Sequence, residues 1–162
     1  MRELEVAIIT KAVRDLCIHA NRELPYDVQK ALADACAVEN APAAKEVFRQ
    51  LTENSHLAKL YGLPLCQDTG LAVFFVEIGQ DLHLIGGDIT AAINEGVRQG
   101  YAQGFLRKSV NNPFTRENTG DNTPAVIHYA VKPGDRLRIC FMAKGGGAEN
   151  MSCVVMLTPA EG

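Results

Sequence analysis

LAVFFVEI, residues 71–78, is an apolar run with one charged side chain, Glu77, near its end. A short run that is apolar on both alternating faces is typical of a strand buried within a sheet. Two further apolar stretches, PAVIHYAV (124–131) and RLRICFMA (136–143), are joined by Lys-Pro-Gly-Asp at 132–135. Because Pro-Gly suits a type II turn, these two stretches are predicted to pair with each other as a hairpin.

The hairpin register predicts which side chains share a face. His128 would lie on one face with Phe141, and Cys140 would lie on the other face with Ile127. On that register His128 is expected to be a core histidine rather than a catalytic one. Cys140 is expected to serve in packing.

Helical periodicity dominates the chain before residue 62. Apolar residues recur at spacings of three and four over about 3–22, again after Pro25, and a third time over about 43–60, where Val47 and Leu51 are expected to point inward. Cys17 and Cys36 fall on apolar stripes. Both are therefore expected to be small buried thiols.

A fourth helix is predicted after Asp88, which is placed as its N-cap. The whole of 1–162 is then expected to be a single α+β domain. In it, about three N-terminal helices pack on a mixed or antiparallel sheet that contains the 124–143 hairpin.

Composition narrows the class of protein. The chain has 162 residues, of which 47% are hydrophobic and 22% charged, and its formal net charge is −3. These values suit a globular domain and give no basis for expecting nucleic acid or a membrane as a partner. The N-terminal residues resemble neither a signal peptide nor a transit peptide, which predicts a cytoplasmic location. There the five cysteines are expected to be reduced, so metal binding or catalysis ranks above disulfides.

Three polar segments interrupt the apolar pattern: LPLCQDTG (63–70), the long stretch at 106–124, and KGGGAENMS (144–152). Each lies beside a predicted strand or helix end, so all three are expected to meet around one cleft. Together they offer a thiol, carboxamides, arginines and bare glycine backbone. This combination suits a metal and a small anionic substrate.

The motifs CQDTG (66–70), NTGDNTPAVIH (118–128) and KGGGAENMS (144–152), in that order, resemble the N-terminal or alpha portion of the class I iron–sulfur fumarate hydratases and L-tartrate dehydratases. The resemblance extends from the first helices to MLTPAEG (156–162). It implies a hydro-lyase that adds or removes water on a small dicarboxylate such as fumarate, malate or tartrate. It also implies a 4Fe–4S cluster as cofactor, held by three thiolates and acting as a Lewis acid.

The same resemblance assigns roles to individual residues. Cys66 is expected to be a ligand of the cluster, and Arg107 is expected to bind a substrate carboxylate. The remaining residues that the resemblance places in the substrate site are Gln67, Asp68, Gly145, Gly146 and Gly147.

The chain also departs from the family pattern. Family members continue past MLTPAEG (156–162), and their other two cluster cysteines and the catalytic base lie in that continuation. The chain is therefore expected to be the N-terminal part of a longer hydro-lyase, with the rest of the enzyme or a beta subunit as its partner. Alone, it is expected to be metal-free, to have Cys66 as a free thiol, to lack activity and to form a homo-oligomer.

Two other functional hypotheses remain open. In one, the chain is a non-catalytic subunit or module that docks on a partner chain carrying the rest of the site. In the other, Cys66 is a nucleophile, which requires a base such as His128 to approach it through the fold.

Overall fold

The computed structural model describes residues 2–150 and 152–160, with backbone alone at 148 and 149. It confirms the α+β class and the mixed sheet. The elements in chain order are β1 Arg2–Glu5, α1 Val6–Ala20, α2 Tyr26–Val38, α3 Pro42–Tyr61, β2 Leu71–Gly79, β3 Leu82–Ile85, α4 Ile89–Gln103, β4 Val126–Lys132, β5 Leu137–Lys144 and α5 Gly147–Asn150. Within the described ranges, no helix combines the length and the apolar character that crossing a membrane requires.

The predicted hairpin is wrong. Both of its strands exist, as β4 and β5, but β2 lies between them, and the strand order of this sheet is β4-β2-β5. β4 runs parallel to β2 and β5 runs antiparallel to it. The Pro-Gly connection does reverse the chain direction, but it carries the chain across the end of a third strand.

Gly79, the last residue of β2, makes this crossing possible. Its N–H donates to the carbonyl of Arg136 at 2.8 Å, and the next N–H, of Gln80, donates to the carbonyl of Lys132 at 2.8 Å. A Cβ on Gly79 would stand 2.3 Å from the carbonyl oxygen of Gly134. Only glycine therefore lets the connection pass this close to the strand end.

The inserted strand changes which side chains share a face. Phe75 is the register neighbour of both His128 and Cys140, and its ring stacks on that of His128 with centroids 5.1 Å apart. Both predictions for this pair were wrong, because His128 and Cys140 are exposed together on the outer face of the sheet. Ile127 and Phe141, expected on opposite faces, instead pack together toward the core.

Helices α1 and α4 cover the inner face of the sheet and form the core with it. They approach closely at Gly96, where a Cβ would meet the backbone oxygen of Thr10 at 2.7 Å. Cys17 is fully buried in this contact, as predicted. The Asp88 N-cap is also confirmed, since its carboxylate accepts a hydrogen bond from the N–H of Ala91 at 2.7 Å.

The first helix starts later than predicted. Residues 2–5 form β1, which pairs in parallel with β3, a strand that the sequence analysis did not predict. The helix then begins at Val6. A strand of four residues shows little local periodicity, and its partner lies about 80 residues away. The predicted helix therefore included most of this strand, because the prediction rested on the spacing of apolar residues.

The next two helices do not cover the sheet as expected. α2 has no buried residue, and α3 is its main packing neighbour. Val47 and Leu51, expected to point inward, are 55% and 44% exposed. Cys36 is half-buried. The sheet is thus covered by α1 and α4, while α2 and α3 leave apolar side chains on the surface.

Candidate active site

The three polar segments meet at one end of the three-stranded sheet, as predicted, but they line two clefts there instead of the one expected. Leu71, which opens β2, is the register partner of Lys144, which closes β5. Antiparallel pairing therefore brings the segment before β2 next to the glycine segment after β5. Because β4 is parallel to β2, the 106–124 segment that precedes β4 arrives at the same end.

Asp68 ties these segments together. Its Oδ2 accepts a hydrogen bond from the N–H of Gly146 at 3.1 Å, and its Oδ1 accepts one from the N–H of Gly70 at 3.1 Å. The hydroxyl of Ser109 approaches Oδ1 at 3.5 Å. The hydrogen bond from Gly146, with those from Gly70 and Ser109 and the charge of Arg107, lowers the pKa of the Asp68 carboxyl against the opposing effect of desolvation. Asp68 is therefore ionised at neutral pH and anchors the glycine segment.

Thr69 fixes the backbone that carries Arg107. Its hydroxyl donates to the carbonyl of Arg107 at 2.8 Å, and its own carbonyl accepts from the hydroxyl of Tyr101 at 2.9 Å. Thr69 and Tyr101 are both buried, and burial raises the pKa of the Tyr101 phenol. The start of the 106–124 segment is thus attached to CQDTG and, through Tyr101, to the core.

Asn122 is a site residue that the sequence analysis missed. It is fully buried, and its Oδ1 accepts hydrogen bonds from the N–H groups of Ser109 at 2.6 Å and Val110 at 3.1 Å. Its Nδ2 donates to the carbonyl of Gly70 at 3.2 Å. It has φ of 65°, a conformation that asparagine tolerates better than most residues. Its position in the polar motif NTGDNTP (118–124) could have marked Asn122 as a candidate site residue. The sequence does not show, however, which backbone groups its side chain would reach.

Two adjoining clefts lie over this junction. The first, of about 270 Å³, is lined by Asp68, Gly70, Leu71, Arg107, Ser109, Lys144, Gly145 and Gly146. The second, of about 470 Å³, is lined by Cys66, Gln67, Asp68, Ala143, Lys144, Gly145 and Gly147. Every residue predicted for the site lines one cleft or the other. Lys144 and Ser109 line them as well, and the sequence analysis had given neither a role.

Another cleft, of about 380 Å³, opens between α2 and α3 and is better enclosed than these two. It is lined by Glu23, Leu24, Gln29, Leu32, Ala33, Thr52, Ser55, His56 and Lys59. None of the three polar segments reaches it. The carboxylate, the guanidinium and the bare glycine backbone instead converge at the paired clefts.

A complete cluster site does not form from the described residues. The exposed Cys66 thiol donates to the Oε1 of Gln67 at 3.2 Å. Cys17 lies in the core, where burial raises its pKa to about 12, and Cys140 lies on the outer face of the sheet. Across residues 2–150 and 152–160, no three His, Cys, Asp or Glu side chains are grouped to hold a metal ion. From the part of the chain that the structure describes, the site thus offers one thiolate ligand, Cys66.

The hypothesis of a cysteine nucleophile requires a base beside Cys66. Among the side chains that the structure describes, the hydrogen-bond partner of the thiol is the Gln67 amide. His128, the base that this hypothesis required, stacks on Phe75 and is not among the lining residues of either cleft.

Comparison with known proteins gives one family. Residues 10–162 match the family described as fumarate hydratase (Fumerase). The putative L(+)-tartrate dehydratase subunit alpha of Methanocaldococcus jannaschii is 34% identical over 160 residues, which is 95% of this chain and 56% of the relative. The aerobic class I fumarate hydratase of Escherichia coli strain K12 is 38% identical over 136 residues, which is 82% of this chain and 24% of the relative.

A further relative is the L(+)-tartrate dehydratase subunit alpha of Escherichia coli strain UTI89. It is 28% identical over 158 residues, covering 95% of this chain and 52% of the relative. The chain thus spans about half the length of these tartrate dehydratase subunits and about a quarter of the fumarate hydratase.

Proposed function

Because the chain belongs to the fumarate hydratase (Fumerase) family, we propose that it supplies part of the active site of a hydro-lyase acting on a small dicarboxylate such as fumarate, malate or tartrate. The observation that carries the proposal is the junction at Asp68, where the three polar segments meet around two small clefts. In this proposal 1–162 is a single domain, the N-terminal part of a longer hydro-lyase.

The residues of this chain bind and orient the substrate. Arg107 presents a planar guanidinium that pairs with a carboxylate through two parallel hydrogen bonds. Gln67 offers an amide, and Gly145 and Gly147 offer backbone N–H groups without side chains to obstruct them. Gly146, whose own N–H is held by Asp68, lines the cleft with bare backbone. Asp68 orients the glycine segment while it lines both clefts. The catalytic base is proposed to come from outside this chain.

Cys66 is proposed as one ligand of a 4Fe–4S cluster, with the other thiolates outside this chain. Its support is its position: it is exposed and lines the same cleft as Gln67 and Gly147. One thiolate does not retain a four-iron cluster, so the chain alone is proposed to be metal-free and inactive.

The test compares the chain alone with the assembled enzyme, both purified anaerobically. Iron, sulfide and the loss of fumarate absorbance are measured for the wild type, for Cys66→Ser and for Cys140→Ser as the matched control. We expect cluster and hydration only in the assembled enzyme, lost in Cys66→Ser and kept in Cys140→Ser. A stoichiometric cluster on the isolated chain, lost in Cys66→Ser, would overturn the proposal that the other thiolates come from outside this chain. It would still support Cys66 as a cluster ligand.

The same experiment separates catalysis from mere docking. If the chain is a non-catalytic subunit, Cys66→Ser and Arg107→Met will leave assembled activity unchanged while the partner still co-purifies. Loss of hydration in both variants, with assembly intact, supports the hydro-lyase proposal.

The proposed macromolecular partners are the rest of the enzyme or a beta subunit, and a second copy of this chain. Two relatives are named as alpha subunits, and this chain exposes apolar surface that assembly would cover. On the outer sheet face Phe75 is 46% exposed, and after α5 the side chain of Val154 is 93% exposed. Light scattering after size-exclusion chromatography tests the oligomer. A cytoplasmic location is also proposed, supported by five cysteines that all remain free thiols.

A further inference from the structure

Tyr101 is a core residue of α4 whose hydroxyl reaches the candidate site from below. Its side chain is fully buried, and its hydroxyl shares one proton between the carbonyls of Thr69 at 2.9 Å and Gly70 at 3.2 Å. Both acceptors belong to CQDTG and directly follow Asp68. Tyr101 itself lines neither cleft. It can therefore act on the site only through the backbone that it holds.

Other buried polar side chains gather around the same hydroxyl. In the part of the chain that the structure describes, the buried polar residues besides tyrosine are Asn21, Thr69 and Asn122. Burial raises the pKa of the Tyr101 phenol, and the side chains of Asn21 and Asn122 oppose that rise in part. Because the phenol keeps its proton and both of its acceptors are carbonyl oxygens, it is a permanent donor at this position.

The segment that carries Arg107 is attached at the same point. The hydroxyl of Thr69 donates to the carbonyl of Arg107 at 2.8 Å. Asn122 donates to the carbonyl of Gly70 at 3.2 Å and accepts from the N–H of Ser109 at 2.6 Å. The backbone on both sides of residue 108 is thus linked to the two residues whose carbonyls the buried phenol holds.

The other end of CQDTG is held as well. The N–H of Leu65 donates to the carbonyl of Asn21 at 2.8 Å, and the carbonyl of Leu65 accepts from the side-chain amide of Asn54, on α3, at 2.9 Å. Leu65 and Thr69 therefore form two fixed ends of a short loop. The residues between these ends all line the second cleft: Cys66, Gln67 and Asp68.

We propose that Tyr101 is a positioning residue of the site. Its hydroxyl fixes the C-terminal end of the 66–68 loop and, through Thr69, the position of this loop relative to Arg107. The hydrogen bonds carry the positioning role, whereas the consequence for catalysis rests on the proposed function. A displacement of about 1 Å in groups that orient a substrate can lower the rate by roughly 100-fold.

The first test measures amide hydrogen exchange by NMR in the 162-residue chain. The reporters are the N–H groups of Gly70 and Ser109, which are held by Asp68 and Asn122. Tyr101→Phe removes the hydroxyl alone and should raise both exchange rates roughly fivefold to tenfold. Val97→Ala, which truncates a fully buried side chain on the same helix, is the matched control for lost core packing. Under conditions where these amides exchange by local opening, it should change both rates less than about twofold.

The second test measures turnover by the assembled enzyme, with fumarate or tartrate, whichever the wild type converts. Tyr101→Phe and Thr69→Val should each lower kcat/KM roughly tenfold or more, because each breaks one link between the core and Arg107. Thr69→Ser keeps the hydroxyl and should stay within about threefold of the wild type. Val97→Ala should stay within about twofold, which separates positioning from a general loss of stability.

Two results would overturn the proposal. One is exchange at Gly70 and Ser109 that is no faster in Tyr101→Phe than in Val97→Ala. The other is normal kcat/KM for Tyr101→Phe in an active assembled enzyme, which leaves the proposed function standing. If the assembled wild type converts neither substrate, the proposed function fails, and faster exchange in Tyr101→Phe than in the control still supports the positioning role.

Discussion

The carboxylate of Asp68 accepts a hydrogen bond from the backbone N–H of Gly146, 78 residues further along the chain, at 3.1 Å. Asp68 belongs to CQDTG and Gly146 to KGGG, so one side chain joins two of the three polar segments. A Cβ on Gly145 would stand 3.2 Å from the Oδ2 of Asp68, so the neighbouring glycine permits this approach. This hydrogen bond holds the glycine segment in place where it lines the clefts.

Removing the Asp68 carboxylate should make the glycine segment more mobile. In Asp68→Ala the amide of Gly146 should exchange with solvent roughly fivefold to tenfold faster, the equivalent of about 1 kcal/mol for a charge-assisted bond that is partly solvated. Hydrogen exchange by NMR measures this. Asp68→Asn keeps one acceptor oxygen and should show a smaller effect. Equal exchange rates in the wild type and in Asp68→Ala would contradict the anchoring role.

Acid should release the same contact. The hydrogen bonds lower the pKa of Asp68 in the folded state, so its contribution to stability is complete above the unfolded value of about 3.9. That contribution is lost as the pH falls below this value and through the folded pKa. The amide shift of Gly146 should therefore be constant from pH 7 to about 4 and titrate below that. Asp68→Asn should lack the transition, and a midpoint above pH 4 would be inconsistent with the geometry.

Asn122 should be costly to replace. Asn122→Ala removes a buried amide with three hydrogen bonds and leaves backbone groups unsatisfied, for an expected loss of about 2–4 kcal/mol in the free energy of unfolding. Asn122→Asp keeps the acceptor for Ser109 and Val110 but loses the donor to Gly70. Urea denaturation gives both values. The exposed Asn111→Ala is the control and should change stability by less than about 0.5 kcal/mol; an equal loss in the two alanine variants would count against the bridging role.

The close approach of the β4–β5 connection to Gly79 can also be tested by urea denaturation. Gly79→Ala puts a Cβ 2.3 Å from the Gly134 carbonyl oxygen, which requires backbone movement and should cost about 1–3 kcal/mol or more. Gly147→Ala, with no heavy atom within 4 Å of the added Cβ, is the control. If the strands formed the hairpin predicted from sequence, Gly79→Ala would behave like the control in urea denaturation.

The cysteines should differ in reactivity. Burial between α1 and α4 raises the pKa of Cys17 to about 12, while Cys66, Cys140 and Cys153 are exposed. Iodoacetamide at pH 8 should label the three exposed thiols at least about 100-fold faster than Cys17, since the thiolate is the reactive form. Mass spectrometry of the peptides measures the rates. Denaturation in urea should remove the difference, and fast native labelling of Cys17 would disprove its burial.

The sequence by itself determined most of the longer elements and the residues that line the clefts. Periodicity placed the helices to within a few residues, Asp88 marked the start of α4, and the apolar run at 71–78 marked β2. The residues predicted for the site all line the paired clefts. These features depend on neighbours in the chain or on short motifs, so reading along the chain reaches them.

Only the tertiary structure decided which strands are neighbours. Alternation along β4 and β5 fixes which residues share a face within each strand, but not which strand lies beside it. A Pro-Gly turn reverses the chain whether or not another strand occupies the gap. β2 fills that gap and buries its backbone by pairing at both edges, and this places His128 and Cys140 outside. The hydrogen bond from Asn122 to Gly70 depends on the same arrangement, because the pairing of β4 with β2 brings the segments before these two strands together.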